Sequence, residues 1–281
     1  MKIGVLGGGY GLYGYAVAAH HNRMEIVLKE KYRKTISSRS DLHWMLNEIT
    51  FVENDADVIN LSETLVFALP PKIQADYLRN KDLRGKRIFL EKPLAPTLNE
   101  RAFLLEHLKD QGIQFSLGYL FMLTEWGKQL TLDNSAGEVR DLRIEWDIPR
   151  PKSNWKMSLE SGGGIINYYV IHFLKLVVDL NYDALEVKCV IEENYCRLFS
   201  DTYDLRVTLT EDSIQNFDVS WLTDREERAF QFATPFGPQN IQGFKDIRVK
   251  YLSEYLLLKP KPELEYDTET RVSKLLFQIL T

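Results

Sequence analysis

Three stretches hold residue types whose spacing can do chemistry. "GVLGGGYGLYGYA", residues 4–16, places six glycines in thirteen residues directly after a short apolar run. Glycines between a strand and a helix let the main chain turn tightly and lie against a pyrophosphate, with the helix N-terminus facing the anion. "EKP", Glu91-Lys92-Pro93, follows another apolar run. Proline there directs an amine at the carboxyl edge of a sheet, where it can stabilise negative charge developing on a reacting oxygen. "SGGGIINYYVIH", residues 161–172, sets Tyr168 and His172 four apart, on one helical face. A histidine, with an ordinary pKa of ~6.5, exchanges a proton near neutrality.

The glycine loop admits two registers. Gly7 and Gly9 follow the strand directly, but Leu12 stands where a third glycine is expected. Gly9, Gly11 and Gly14 satisfy G-x-G-x-x-G literally and begin two residues late. We favour Gly7 and Gly9 at the phosphates, with an enlarged turn through Tyr10, Gly11, Leu12 and Tyr13 that ends at Gly14. "GLYGYA" would also set Tyr13 and Tyr15 near the dinucleotide. An acidic residue about 20 positions on would bind the adenosine ribose, and Glu30 is the candidate. Its neighbours Lys29, Lys31, Arg33 and Lys34 suit a 2′-phosphate, so NAD and NADP both remain open.

Positioning these groups needs alternating strands and helices. Strands are expected at 2–6, 24–28, 65–71, 87–93 and 113–121, with helices at 13–21, 73–80 and 98–112 between them, which implies a mostly parallel sheet. The rhythm then changes. "DLRIEWDI" (141–148), "LEVKCVIE" (185–192) and "YDLRVTLT" (203–210) alternate strictly, as antiparallel strands with one wet face do. A helix over 165–180 would cover the dry face. The expected fold is α/β: a Rossmann dinucleotide-binding domain at 1–118, then an α+β domain with a large, mostly antiparallel sheet at 119–281 for substrate binding and oligomerisation.

Composition narrows the partners. With 44% hydrophobic and 27% charged residues the chain reads as a globular protein, and its net charge of −5 argues against nucleic acid. No run approaches a membrane span, the N-terminus lacks the pattern of a signal peptide, and a cytoplasmic location is the simple expectation. Cys189 and Cys196 suggest neither a disulfide scaffold nor a metal site. His20, His21, His43 and His107 sit in charged helical stretches without a chemical role.

Taken together and in this order, the glycine loop, "LEKPLA" and "SGGGIINYYVIH" resemble the glucose–fructose oxidoreductase/inositol dehydrogenase/MocA family. The resemblance covers the Rossmann half and the first part of the second domain. It implies that Lys92 contacts substrate and nicotinamide, that a cis bond can precede Pro93, and that His172 is an acid/base or orienting group. By the same resemblance Glu91 and the turn Leu69-Pro70-Pro71, with Gln74 where a histidine is frequent, lie on the cofactor side. Tyr119 and Trp126 would wall the pocket, and Asn167 with Tyr168 would touch substrate. The chain departs from the pattern at Tyr168, where the family often has aspartate, at Val170 for glycine and at Lys175 for aspartate. The arginine often found after the counterpart of Gly118-Tyr119 is lacking.

The expected function is that of an NAD(P)-dependent dehydrogenase or reductase moving a hydride between nicotinamide and a carbon of a sugar or sugar nucleotide, in polysaccharide or glycoconjugate biosynthesis. Lys92 would stabilise the oxygen, and His172 with Tyr168 would relay the proton in a shared cleft. A homodimer or homotetramer through the second sheet is expected. Two rivals stand beside this: a reductase of a tetrapyrrole or imine walled by Tyr119, Tyr168 and Tyr169, and a catalytically silent dinucleotide-binding regulator or assembly partner.

Overall fold

The computed structural model describes residues 1–151, 155–182, 187–237, 246–259 and 261–280. The chain divides into two compact units. The first comprises Met1–Ala95, Asn99–Gly118 and Asn240–Asp267, and the second comprises Pro96–Leu98, Tyr119–Gln239 and Thr268–Thr281.

The first unit is built on six strands: β1 (Lys2–Leu6), β2 (Glu25–Lys29), β3 (Ile49–Val52), β4 (Thr64–Phe67), β5 (Arg87–Leu90) and β6 (Gln114–Leu117). They pair in the order β3-β2-β1-β4-β5-β6, all parallel. This is the order of a dinucleotide-binding sheet, with its switch point between β1 and β4. Helices α1 (Val17–His21), α2 (Arg33–Ser37), α3 (Asp55–Leu61), α4 (Pro71–Asn80) and α5 (Leu98–Asp110) fill the connections. Strand residues such as Val5, Val27, Val66 and Phe89 are fully buried, as a parallel sheet covered on both faces requires. β3 was not expected from the sequence. It is a short edge strand, and only Ile49 of its four residues is buried.

The second unit holds a mixed sheet of β7 (Arg140–Pro149), β8 (Lys188–Glu192), β9 (Tyr195–Phe199), β10 (Tyr203–Thr210), β11 (Asn216–Leu222) and β12 (Glu227–Phe232), in the order β12-β11-β7-β10-β9-β8. Only the β7–β10 pair is parallel. The strict alternation is realised in β7 and β10: Leu142, Ile144, Trp146 and Ile148 are buried, while Arg143 and Glu145 face outward; in β8, an edge strand, Val190 and Ile191 are both exposed. Leu185 and Glu186 of the expected strand 185–192 lie outside the described residues. Helix α6 (Glu125–Ser135) is capped by Thr124 Oγ1, which accepts from Gly127 N at 3.1 Å. α7 (Ile171–Asp179) lies on the dry face, with Phe173 6.2 Å from Trp146 between ring centres. Cys189 and Cys196 are free thiols 3.9 Å apart across β8 and β9.

Two further helices follow, α8 (Arg248–Leu257) and α9 (Pro262–Leu280). One segment of the first unit ends at Gly118, and the second unit is not continuous from 119 to 281. The described residues of 240–267 belong to the first unit, where α8 packs on α1 and Tyr255 meets Phe89 at 4.9 Å. Leu252, Tyr255 and Leu256 are the buried face that drives this return. Among the described residues no helix is long and apolar enough to cross a membrane.

Candidate functional site

The residues singled out by sequence divide between the two units. In the first, Gly7 has φ of +134°, and a Cβ there would stand 2.1 Å from the Ala68 carbonyl oxygen, so only glycine lets β1 leave the sheet beside β4. Gly9, at φ +50°, has open space where its Cβ would be. Gly11 N donates to Gly8 O at 2.9 Å, and Leu12 N and Tyr13 N donate to Gly9 O. The helix therefore starts at once, and the amides of residues 8–10 have no upstream helical carbonyl to donate to.

This overturns the enlarged turn. Gly14 lies inside a π-helical turn, Gly11–Ala16, that runs into α1. Gly11 is the residue closely approached: a Cβ there would lie 3.2 Å from Ala68 Cβ and 3.3 Å from Val5 Cγ1. Gly14 makes room instead for the Tyr10 ring and Leu252. Leu12 is buried at 2% exposure, so its side chain belongs to the core rather than to a cofactor surface. Tyr13 is half-buried, and the Arg39 guanidinium lies 5.5 Å from its ring centre. Arg248 of α8 lies 4.4 Å over the Tyr10 ring and is held by Asp246 at 2.6 Å, a partnership that sequence gave no reason to expect.

Glu30 directly follows β2 and is exposed at the carboxyl edge. It pairs with Arg33 through two bonds of 2.5 and 3.0 Å, and the hydrogen bond from Arg33 holds its carboxyl below the usual carboxylate range. Arg33 also lies 4.0 Å over Phe51, Lys29 is 2.9 Å from Asp55, and Lys31 lies over Tyr32. A Cβ on Gly8 would in turn lie 3.4 Å from the Tyr32 ring.

The Lys92–Pro93 bond is cis, as the resemblance allows. Gln74 is fully buried, and its side-chain amide reaches the carbonyls of Glu91 (2.8 Å), Leu94 (3.2 Å) and Pro93 (3.3 Å). Gln74 therefore fixes the turn and is not itself a cofactor-facing group. The Glu91 carboxylate likewise turns inward, accepting from Tyr15 Oη at 2.7 Å. Burial pushes it above the ordinary carboxylate range, while Tyr15, Lys92 and Arg248 act in the opposite direction. Leu69 and Pro70 are half-buried ahead of α4, which opens on Pro71 where its missing N–H costs nothing.

In the second unit His172 is buried at 7% exposure. Its ring stacks on Phe121 at 4.7 Å and meets Tyr119 edge-on at 5.8 Å and Trp146 at 6.1 Å. Tyr119 lies under the Lys175 amine at 5.8 Å. Trp126 is core, its indole donating to the Pro235 carbonyl at 2.7 Å. Ile166–Val170 is again π-helical, which widens the turn that bears half-buried Asn167 and Tyr168. Tyr168 packs on Trp155 at 5.6 Å and Tyr169 at 4.9 Å, with the Lys156 amine 5.1 Å over its ring. The glycine triplet approaches the chain's own backbone: a Cβ on Gly163 would sit 2.3 Å from Trp155 O and 2.4 Å from Lys156 O. Among the described residues no group of three or more His, Cys, Asp or Glu could hold a metal ion.

No family model matches the chain. The WlbA dehydrogenase of Bordetella pertussis, crystallised with NADH and UDP-GlcNAcA, superposes with a TM-score of 0.71 at 14% identity, covering 99% of this chain and 95% of that one. A myo-inositol dehydrogenase of Corynebacterium glutamicum gives 0.70 at 12% identity, over 100% and 95% of the two chains. In sequence, the 2,7-anhydro-N-acetylneuraminate hydratase of Escherichia coli is 23% identical over 140 residues, 48% of this chain and 37% of that protein. The chain spans less than half the length of the curated relatives it matches. The six-stranded parallel sheet and the mixed second sheet are those of the solved dehydrogenases. The likeness to these solved dehydrogenases is one of fold.

Proposed function

We propose that the chain is an NAD-dependent oxidoreductase acting on a carbohydrate, with a nucleotide-linked sugar as the narrower choice. The carrying observation is the open glycine turn at the carboxyl end of β1, two strands from a rigid Glu91-Lys92-Pro93 turn at the end of β5 in one parallel sheet. The amides of residues 8–10, which precede the first helical hydrogen bonds, and the open space at Gly9 suit a diphosphate. Preference for NAD follows from Glu30 at the ribose end of β2 and from neighbouring cations already engaged: Lys29 by Asp55 and Arg33 by Glu30. The dinucleotide, when bound, supplies the hydride acceptor or donor. Lys92 stabilises charge on the substrate oxygen, His172 handles the proton, and Tyr119, Asn167 and Tyr168 orient the sugar. The WlbA neighbour's UDP-GlcNAcA supports the sugar-nucleotide choice.

Lys92→Ala should abolish the absorbance change at 340 nm on a panel of sugars and sugar nucleotides while leaving dinucleotide binding in place. Turnover that survives the substitution refutes the role of Lys92. A second reading, a silent dinucleotide binder, is favoured by Tyr168 in the place of a carboxylate and packed among Trp155, Lys156 and Tyr169. Tight NADH binding without turnover across the panel would select it. The outward face of the second sheet, where Arg206 joins Glu145 at 3.0 Å and Asp204 at 2.5 Å, is the surface proposed to meet another copy, testable by light scattering.

A further inference from the structure

Tyr15 is fully buried, in the π-helical turn that follows the glycine loop. A π turn inserts one residue into a helix and re-aims the side chains around it, and such turns gather at functional sites. Here the re-aimed side chain reaches the turn after β5, 76 residues away in sequence, where Tyr15 Oη donates to Glu91 Oε1 at 2.7 Å. The space for this contact is kept open by Gly118: a Cβ there would lie 3.0 Å from Tyr15 Oη and 3.3 Å from Glu91 Oε1. On the main-chain side, Gln74 accepts from Glu91 N at 3.1 Å and donates to the carbonyls of Glu91, Pro93 and Leu94. The backbone on either side of Lys92 is thus held by Gln74, and the neighbouring carboxylate by Tyr15.

We propose that Tyr15 is a positioning residue: its hydroxyl holds the Glu91 carboxylate inward and, together with Gln74, fixes the turn that carries Lys92 at the carboxyl edge of the sheet. This rests on the oxidoreductase reading for its catalytic consequence, but not for its structural content. Released from Tyr15, the Glu91 side chain would no longer brace the turn, and Lys92 would lose its fixed position. The charged and titratable groups around the pair are Lys92 on the same turn, Tyr10 on the glycine loop, and Arg248 and Tyr255 on α8. Burial works against the ionised carboxylate here, and the hydrogen bond from Tyr15 works for it.

The test is Tyr15→Phe in the full chain, which deletes only the hydroxyl. The Glu91 carboxyl is followed by carbon NMR and assigned by its loss in Glu91→Gln. Tyr15→Phe should move the Glu91 titration to higher pH, lower kcat about tenfold with the KM for dinucleotide unchanged, and shift the acid limb of the kcat profile the same way. Gly118→Ala, which crowds the pair from outside, should move the titration in the same direction and serves if Tyr15→Phe does not fold. An unmoved Glu91 titration in the folded variant overturns the proposal, as does a kcat loss equal at every pH. If no substrate turns over, the oxidoreductase reading fails, while the NMR titration still decides whether Tyr15 holds Glu91.

Discussion

Gln74 and Glu91 are bonded in both directions: the Gln74 amide nitrogen lies 2.8 Å from the Glu91 carbonyl oxygen, and the Glu91 amide donates to Gln74 Oε1 at 3.1 Å. An amide on α4 thereby replaces the hydrogen bonds that a turn after β5 cannot make for itself. Gln74→Leu keeps the volume and strands several buried backbone groups. It should cost roughly 3 kcal/mol in urea unfolding. A loss under about 1 kcal/mol would mean that water satisfies the turn instead.

Gly7 and Gly9 separate stability from binding. Gly7→Ala drives a methyl into the Ala68 carbonyl and should cost more than about 2 kcal/mol. Gly9→Ala meets open space and pays only for its left-handed backbone, about 1 kcal/mol, yet its methyl stands where a diphosphate would lie. NADH fluorescence titration of folded Gly9→Ala should show binding lost. Unchanged affinity would remove the phosphates from this loop.

Glu30→Ser releases Arg33 from its ion pair at the end of β2. The ratio of kcat/KM for NADP over NAD should rise several-fold, because a free guanidinium favours a 2′-phosphate and the ribose loses its carboxylate. A ratio that stays fixed would place the adenosine ribose elsewhere.

Asp133 anchors the second unit. It is buried and accepts from Trp221 Nε1 at 2.8 Å, Gln129 at 2.9 Å and Arg228 at 3.2 Å. Burial alone would raise its carboxyl, but these bonds together hold it below the usual range. A depressed folded value stabilises above the unfolded pKa of ~3.9 and loses that stabilisation as pH falls through the folded value. Asp133→Asn should therefore be about 2 kcal/mol less stable at pH 7, with the difference shrinking below about pH 4. A difference constant with pH would show that the contribution is packing rather than charge.

Most of the sheet framework was legible because period-two alternation and punctuated apolar runs are local signals. The glycine loop was legible as a motif but not in its register. The π turn that puts Gly11 against β1 and Gly14 under Leu252 arises from packing with α8, some 240 residues away in the chain, which no local pattern encodes. Gln74 and Glu91 were read as cofactor groups from their place in a motif. Glu91 turns inward toward Tyr15 beside Gly118, and Gln74 toward the backbone of residues 91–94; the types of Tyr15 and Gly118 announce nothing by themselves. In the glycine triplet a close approach is found at Gly163, against the backbone of Trp155 and Lys156, and at Gly164, against the Leu159 side chain. β3 escaped because a half-exposed edge strand of four residues has too short a pattern to stand out.

The return of α8 has a consequence for how the protein is made. Asn22 donates to Ser253 O at 2.7 Å, and Phe89 has Tyr255 as a ring partner. Phe115 likewise has Tyr266 as a ring partner, so a ribosome synthesising this chain must deliver residues 246–266 before the parallel sheet, begun at residue 2, can bury Phe89 and Phe115. The nascent first unit waits with that surface bare while Tyr119–Gln239 of the second unit emerge, so this is the interval in which a chaperone has most to shield.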